Sequence, residues 1–423
     1  MKQSLQALQS TTVAFNPAQP LSLCDSLAEN PLLFIRGGNG LAGYGQALRL
    51  EASGPNRMAD LAQQWNQVVA ASEVINPLSQ PGTGLVAFGS FAFADDSAAK
   101  SVLIVPEVII GLRDGHWWHT RVSRITDAAE TKKPNTADAL AVEVPAVSEY
   151  RDDQQIEFKS GKQTKDGFKA SVSAAVSSIK NGDLNKVVLA RDLVADLPAG
   201  FDLRTALRRL DSQYPSCWVY AVDGTFGASP ELLVRVAHGQ VSARVLAGTA
   251  GRGTDKGIDQ AIAAALATSA KNLSEHAFAV DSLVSTLSPF CTTVDADSEP
   301  FSLALPNLWH LASDVHGVLK ANSSVLDLAA ALHPTAAVAG TPRLEAQQLI
   351  AELEPFDRGR YAGPVGWIGS DGDGEWAIAL RGGQVAENQL TAFAGCGIVG
   401  ESEPEAELAE TELKFQPIRG AFA

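Results

Sequence analysis

Apolar positions along the chain follow two rhythms, and the pattern sharpens near residue 160. Before that point, short apolar runs bounded by Gly and Pro read as strands over 32–36, 84–88 and 101–105. Leu61, Trp65, Val68 and Val69 recur at helical spacing and predict a helix over 60–73. Residues 116–122 form another candidate strand, entered through the turn at Asp114-Gly115, and the polar, acidic stretch 125–160 reads as an exposed loop or linker. Beyond it, Phe168, Val172, Ala175, Val176 and Ile179 mark one face of a helix that Asn181-Gly182 should end through a left-handed cap. A strand follows at once over 186–191. Further helices are expected over 259–287, 325–332 and 342–352, and further strands over 218–222, 232–236, 365–368, 376–381 and 389–395. Helices and strands mix without strict alternation, which favours an α+β fold with antiparallel sheets over a parallel doubly wound one.

Composition narrows the function classes. With 423 residues, 45% hydrophobic, the chain can bury a sizeable core. Its formal charge of −15 argues against a nucleic-acid partner, which needs a basic face to displace counterions, and gives little attraction to anionic lipid. A small anionic substrate stays open, because local cations or a metal can reverse the field inside one cleft. Cys24, Cys217, Cys291 and Cys396 are scattered, so neither a disulfide framework nor a zinc site is expected. The first residues lack a continuous apolar run, and no stretch is apolar enough to span a membrane. The expectation is a cytoplasmic protein with reduced thiols.

Three motifs attract notice without carrying chemistry. Gly38-Asn-Gly-Leu-Ala-Gly43 has the spacing of a dinucleotide loop, but the residues after it continue as a strand where that loop needs a helix. Asp371-Gly-Asp-Gly-Glu375 hints at a calcium loop, but Trp376 stands where that loop requires glycine, so a hairpin turn fits better. His116 and His119 point to opposite faces of a strand and cannot easily share a metal.

Several glutamates recur in Gly-rich or helical contexts. Glu231 lies in Gly227-Ala-Ser-Pro-Glu231, Glu275 on a predicted helix beside His276, and Glu407 and Glu410 three apart on one helical face. Each alone is most simply a solvated carboxylate. Their setting changes that reading. Lys186-Val-Val-Leu-Ala-Arg191, Gly227-Ala-Ser-Pro-Glu231, Leu246-Ala-Gly-Thr249, Ser274-Glu-His276 and His333-Pro-Thr335 occur in this order. Arg358-Gly-Arg-Tyr-Ala-Gly-Pro-Val-Gly366, Ala379-Leu-Arg381, Ala394-Gly-Cys-Gly-Ile-Val399 and an acidic tail through Lys414 follow. The ordered set resembles the chorismate-utilising enzymes, the family of isochorismate, salicylate, anthranilate and aminodeoxychorismate synthases. The resemblance covers about residues 160–420, and the first 150 match only loosely.

The resemblance implies a single chorismate-binding enzyme domain over 1–423, with 1–150 its variable part and 160–420 the catalytic region. Its fold would be that of anthranilate synthase component I: two large, mostly antiparallel sheets packed together with helices outside. It also implies roles. Lys186 would be the base that activates water and Glu231 the acid that protonates the departing hydroxyl. Such a pair needs a lowered lysine and a raised glutamate. Glu275 and Glu410 would hold Mg²⁺, with Glu407 supporting them. Tyr361, Arg381, the amides near Gly397, and Lys414 would meet the substrate carboxylates, where an arginine fork suits a carboxylate. Gly248 and Thr249 would shape the pocket floor and His310 would line it.

Three positions bear on subtype. Ala247 stands where aminodeoxychorismate synthases carry a nucleophilic lysine, Ala337 resembles the small residue of isochorismate synthases, and Leu246 suits a site that positions water. The expected reaction is therefore chorismate to isochorismate, with salicylate synthase the alternative and anthranilate synthase component I a weaker one. The expected state is a monomer without a glutamine amidotransferase subunit.

Overall fold

The computed structural model describes residues 6–17, 21–125, 156–304 and 308–423. The proposed linker over 125–160 falls almost wholly outside them. Two compact units emerge. The first comprises Met1–Glu231, His333–Ser370 and Ala377–Ala423; the second comprises Leu232–Leu332 and Asp371–Trp376. Among the described residues no helix is long and apolar enough to cross a membrane.

Among the described residues of the first unit thirteen strands make one sheet, mostly antiparallel, with Leu8–Phe15 and Glu73–Ile75 a parallel pair. At its centre Trp218–Val222 pairs with Leu32–Arg36 on one side and with Thr225–Ser229 on the other. Four strands of a second sheet, Pro364–Gly369, Val86–Ser90, Ser101–Val105 and Leu48–Ala52, lie next to one another in that order. Val86–Ser90, Ser101–Val105 and Pro364–Gly369 are buried throughout, so they read as unbroken apolar runs rather than as alternating ones. The strand His116–Arg124 exposes His116 and buries His119, as opposite faces require.

Local chemistry sets the helix ends. Lys165–Asn181 is capped by Thr164, whose side chain accepts from the Gly167 amide, and stops at Gly182 with φ 87°. Its face of Phe168, Val172 and Ala175 is fully buried, and truncating Phe168 to alanine costs about 3–5 kcal/mol. The Gly38–Gly43 segment is hairpin strand Asn39–Tyr44, paired with Leu32–Arg36, and no helix follows it.

The second unit sets Cys291–Ala296, Leu308–Leu319, Gln240–Gly251 and Leu232–Ala237 side by side, with helices Lys256–Thr268, Ala270–Leu287 and Val325–Leu332. The single helix expected over 259–287 is two. Ser269 is extended (φ −70°, ψ 111°), closing the first helix, and its hydroxyl accepts from the Asn272 amide to open the second. The strand expected to reach Arg381 ends at Ile378, because Arg381 adopts φ 50° as the chain turns into Gly382–Ala386.

Candidate active site

Period-two alternation on two paired strands builds the centre of the first unit's site. Lys186–Asp196 runs antiparallel to Gln389–Ile398, with Val188 opposite Gly397, Leu189 opposite Cys396 and Ala190 opposite Gly395. Lys186, Val188 and Ala190 therefore share one face with Gly395 and Gly397, while Leu189, Arg191 and Cys396 face the other way.

On the first face, the half-buried Lys186 side chain lies across Gly397. A Cβ at Gly397 would stand 2.8 Å from Lys186 Cε and 3.4 Å from Nζ, so only glycine leaves the lysine its path. Two residues along, a Cβ at Gly395 would meet the Tyr361 hydroxyl at 3.2 Å. Tyr361 is buried and stacked on Phe393, with ring centroids 5.0 Å apart and planes 16° apart. Burial pushes its phenol up to about 12, against the pull of Arg358 and Arg381, so it is a neutral donor.

On the opposite face, the guanidinium of Arg191, fully buried, donates to Thr411 Oγ1 at 3.1 Å and Glu412 at 2.8 Å. Burial works against the Glu412 charge, yet bonds from Arg191 and Arg419 hold its carboxyl at about 2. This grip fixes helix Pro404–Lys414. Lys414 donates to the Gly395 carbonyl at 2.9 Å and pairs with Glu410 at 2.5 Å. The Cys396 thiol points into the helix and donates to the Glu407 carbonyl at 3.7 Å.

Glu231 enters through the turn after strand Thr225–Ser229. The Ser229 hydroxyl donates to the Ile378 carbonyl at 2.6 Å and accepts from the Glu231 amide at 3.2 Å, which fixes the turn. Burial pushes the Glu231 carboxyl above the usual range, while the charges of Lys186, Arg381 and Lys414 pull it back. Those charges act on one carboxyl, so Lys186, Glu231, Arg381 and Lys414 share a neighbourhood. Near Arg381, Gly227 and Gly382 pair closely beneath the Tyr220 hydroxyl, which donates to the Leu380 carbonyl at 3.1 Å. Ala337 lies exposed in the turn that precedes Gly340–Thr341, the short strand paired with Lys186 and Val187.

Glu407 and Glu410 supply oxygen donors of the kind a hard cation takes. Glu407 Oε1 accepts from the Ser402 hydroxyl at 2.6 Å, while its Oε2 is buried without a hydrogen-bond partner. That oxygen suits a cation. Among the described residues no three acidic, histidine or cysteine side chains converge on one point.

Glu275, Gly248, Thr249 and His310 belong to the second unit. Gly248 sits at a β-bulge with φ 79°, where the register between Gln240–Gly251 and Leu308–Leu319 shifts, and Thr249 pairs with His310. Glu275 lies within helix Ala270–Leu287, next to the buried His276. His276 Nδ1 lies 3.0 Å from the Ala247 carbonyl and Nε2 2.9 Å from Ser313 Oγ. A carbonyl only accepts, so Nδ1 carries the proton and the Ser313 hydroxyl donates to Nε2. His276 thereby pins the helix beside the bulge.

Sequence reasoning singled out the lysine, the glutamates and the glycines but not the residues packed around them. Arg191, Tyr220, Phe393 and the buried pair Glu354–Arg358 went unassigned. The four-residue spacing of Glu354 and Arg358 was the one available signal.

The profile described as "Chorismate binding enzyme" matches residues 1–423. The chain is 30% identical over 383 residues to isochorismate synthase MenF of Bacillus subtilis, covering 86% of this chain and 81% of that one. It is 32% identical over 397 residues to the salicylate biosynthesis isochorismate synthase of Pseudomonas aeruginosa, covering 90% and 82%. In fold it superposes on MenF, the menaquinone-specific isochorismate synthase of Escherichia coli, with TM-score 0.76 at 24% identity, covering 100% and 97%. Anthranilate synthase component I of Streptococcus pneumoniae has the same fold, with TM-score 0.69 at 23% identity, covering 95% and 99%. The chain is a member of the chorismate-binding enzyme family, with isochorismate synthases among its relatives.

Proposed function

We propose that the protein converts chorismate to isochorismate. In this reading a C–O bond forms at C2, the C4–O bond breaks, and the ring π electrons shift between them; one water enters and one leaves. Lys186 takes the proton of the entering water, and Glu231 gives one to the departing oxygen. The observation that carries the reading is the pairing of these groups: a lysine laid over Gly397, and a carboxyl raised by burial within reach of that lysine's charge. A carboxyl pushed upward keeps the proton a general acid must give.

Arg381, Lys414 and the Tyr361 hydroxyl would supply donors for the substrate's carboxylates, beside Gly395 and Gly397. Glu410 and Glu407 would hold Mg²⁺, the latter through its unpaired Oε2. When bound, the ion would neutralise a substrate carboxylate, reconciling an acidic protein with an anionic substrate. Glu275, Gly248, Thr249 and His310 keep the roles that the resemblance assigns them, and Ala337 keeps its part in subtype.

The test is incubation with chorismate and Mg²⁺, without ammonia, and chromatographic identification of products. Isochorismate without pyruvate supports the reading. Salicylate with stoichiometric pyruvate replaces it with the elimination chemistry, and no turnover refutes both.

A further inference from the structure

We propose that Arg358 is a positioning residue: one buried guanidinium that sets the base-bearing strand, the Ala337 turn and Tyr361 in mutual register. It rests on the reading of Lys186 and Tyr361 given above, but its geometry stands by itself. Arg358 is 3% exposed. Its Nη2 donates to the Val188 carbonyl at 2.7 Å, two residues along the strand from Lys186. Nη1 donates to the Val338 carbonyl at 2.8 Å, next to Ala337. Nε and Nη2 close a fork on Glu354 at 2.8 and 2.6 Å.

Glu354 passes the tie onward. Its Oε1 also accepts from the Ala190 amide at 2.7 Å, so the ion pair holds the base strand at two successive points along one edge. The strand and the turn are joined directly as well, since the Val188 amide donates to the Ala339 carbonyl at 2.8 Å. Tyr361 is the third element. The Tyr361 amide donates to the Arg358 carbonyl at 3.0 Å, and the guanidinium lies 4.5 Å from the Phe93 ring centroid and 5.9 Å from that of Tyr361.

A core that needed only filling would not place a charged pair here, because burying ions is weak as a source of stability. What the fork provides is direction. Four donor contacts from one plane leave the three elements little freedom to slide. Lysine keeps the charge but has a single donor centre and no plane, so it cannot serve all four contacts.

The experiment compares Arg358→Lys with Arg204→Lys, each measured well below its own unfolding temperature. Arg204 is an equally buried arginine, forked on Asp202 at 2.8 and 2.7 Å and bonded to the Leu27 carbonyl at 3.2 Å. Steady-state kinetics with chorismate and Mg²⁺ are paired with hydrogen–deuterium exchange of peptides over 186–191 and 336–341. The expected result for R358K is a kcat lowered about 10²-fold, as for an ångström of misplacement, with KM within about threefold. Exchange should quicken in both peptides. R204K should lose thermal stability but keep its kcat and the exchange rates of both peptides. Glu354→Asp, which shortens the reach and keeps the charge, should reproduce the R358K pattern and serves if R358K does not fold. The proposal is overturned if R358K or E354D keeps kcat near that of R204K, or if only one peptide loosens. Should the wild type fail to turn over chorismate, the functional reading falls, and exchange alone decides: both peptides loosening upholds the tie, one or neither overturns it.

Discussion

Replacing Gly397 with alanine tests the site with one added carbon. The new Cβ would lie 2.8 Å from Lys186 Cε, whereas ordinary carbon contacts begin near 3.4 Å and settle toward 4 Å. The backbone cannot relieve this, since Gly397 lies within a paired strand, but the end of a lysine side chain can move. Gly397 is not in the left-handed region, so alanine brings no backbone strain. The shortfall, roughly 0.6–1.2 Å, must be met by displacing the ammonium. Stability should change by less than about 1 kcal/mol, below the usual cost of overpacking a closed core, because the obstructing atom sits on a flexible chain. Turnover should fall far more. An ångström of misplacement at a reacting group costs about 10²-fold, or about 2.7 kcal/mol of barrier. The assay is kcat for isochorismate formation beside a thermal melt. A variant that melts like the wild type and turns over within threefold of it would refute the role given to Lys186. A variant that unfolds would show instead that the strand pair has no slack.

Other expectations follow from the same geometry. Lys186→Ala and Glu231→Gln should each lower kcat by about 10²–10⁴-fold, the range for removing a positioned base or acid, checked by product formation under saturating chorismate. Glu231→Gln should also change stability with a definite sign. A carboxyl raised on folding holds its proton more tightly in the folded chain, so stability falls as pH rises from the ordinary value of 4.5 toward the folded one. The melting-temperature advantage of E231Q over wild type should therefore grow from pH 4 to pH 8; a constant difference would contradict the burial of this group. Glu410→Gln should raise the Mg²⁺ concentration needed for half-maximal activity by more than about 10-fold while barely altering stability, because its pair with Lys414 is half exposed. An unchanged magnesium titration would remove Glu410 from the metal.

The legibility of this fold varied by element. The strands at Ser101–Val105 and Trp218–Val222 stood out because they are buried on both faces and their apolar runs are bounded by turn residues. Leu8–Phe15 was missed because Ser10 and Thr12, both buried, break the apolar run with hydroxyls, and Thr12 meets Thr120 at 2.7 Å across the sheet. Helix Leu203–Gln213 was missed because Arg204, Arg208 and Arg209 mask its apolar stripe of Leu203, Ala206, Leu207 and Leu210. At the candidate site, the family motifs pointed to Lys186 and Glu231, but no periodicity could have related the two. The path of Lys186 depends on Gly397, which faces it only once Lys186–Asp196 is registered against Gln389–Ile398. Arg358 lies within a family motif, but the carbonyls of Val188 and Val338 that it binds are too far off in sequence to suggest themselves.

The thirteen-stranded sheet has one more consequence. Among the described residues its order closes at Lys159–Ser160 on one side and at Glu73–Ile75 on the other, two and three residues long. All five of those residues are exposed, and three carry charge or hydroxyl. A wide antiparallel sheet with long outer strands would offer its unpaired amides and carbonyls to any neighbouring chain. Here the outermost strands are short: Glu73–Ile75 pairs with Gln9–Thr11, and Lys159–Ser160 with Leu193 and Val194, so each rim strand itself offers little backbone to template another. Short, polar rims of this kind disfavour edge-to-edge pairing of this sheet between copies.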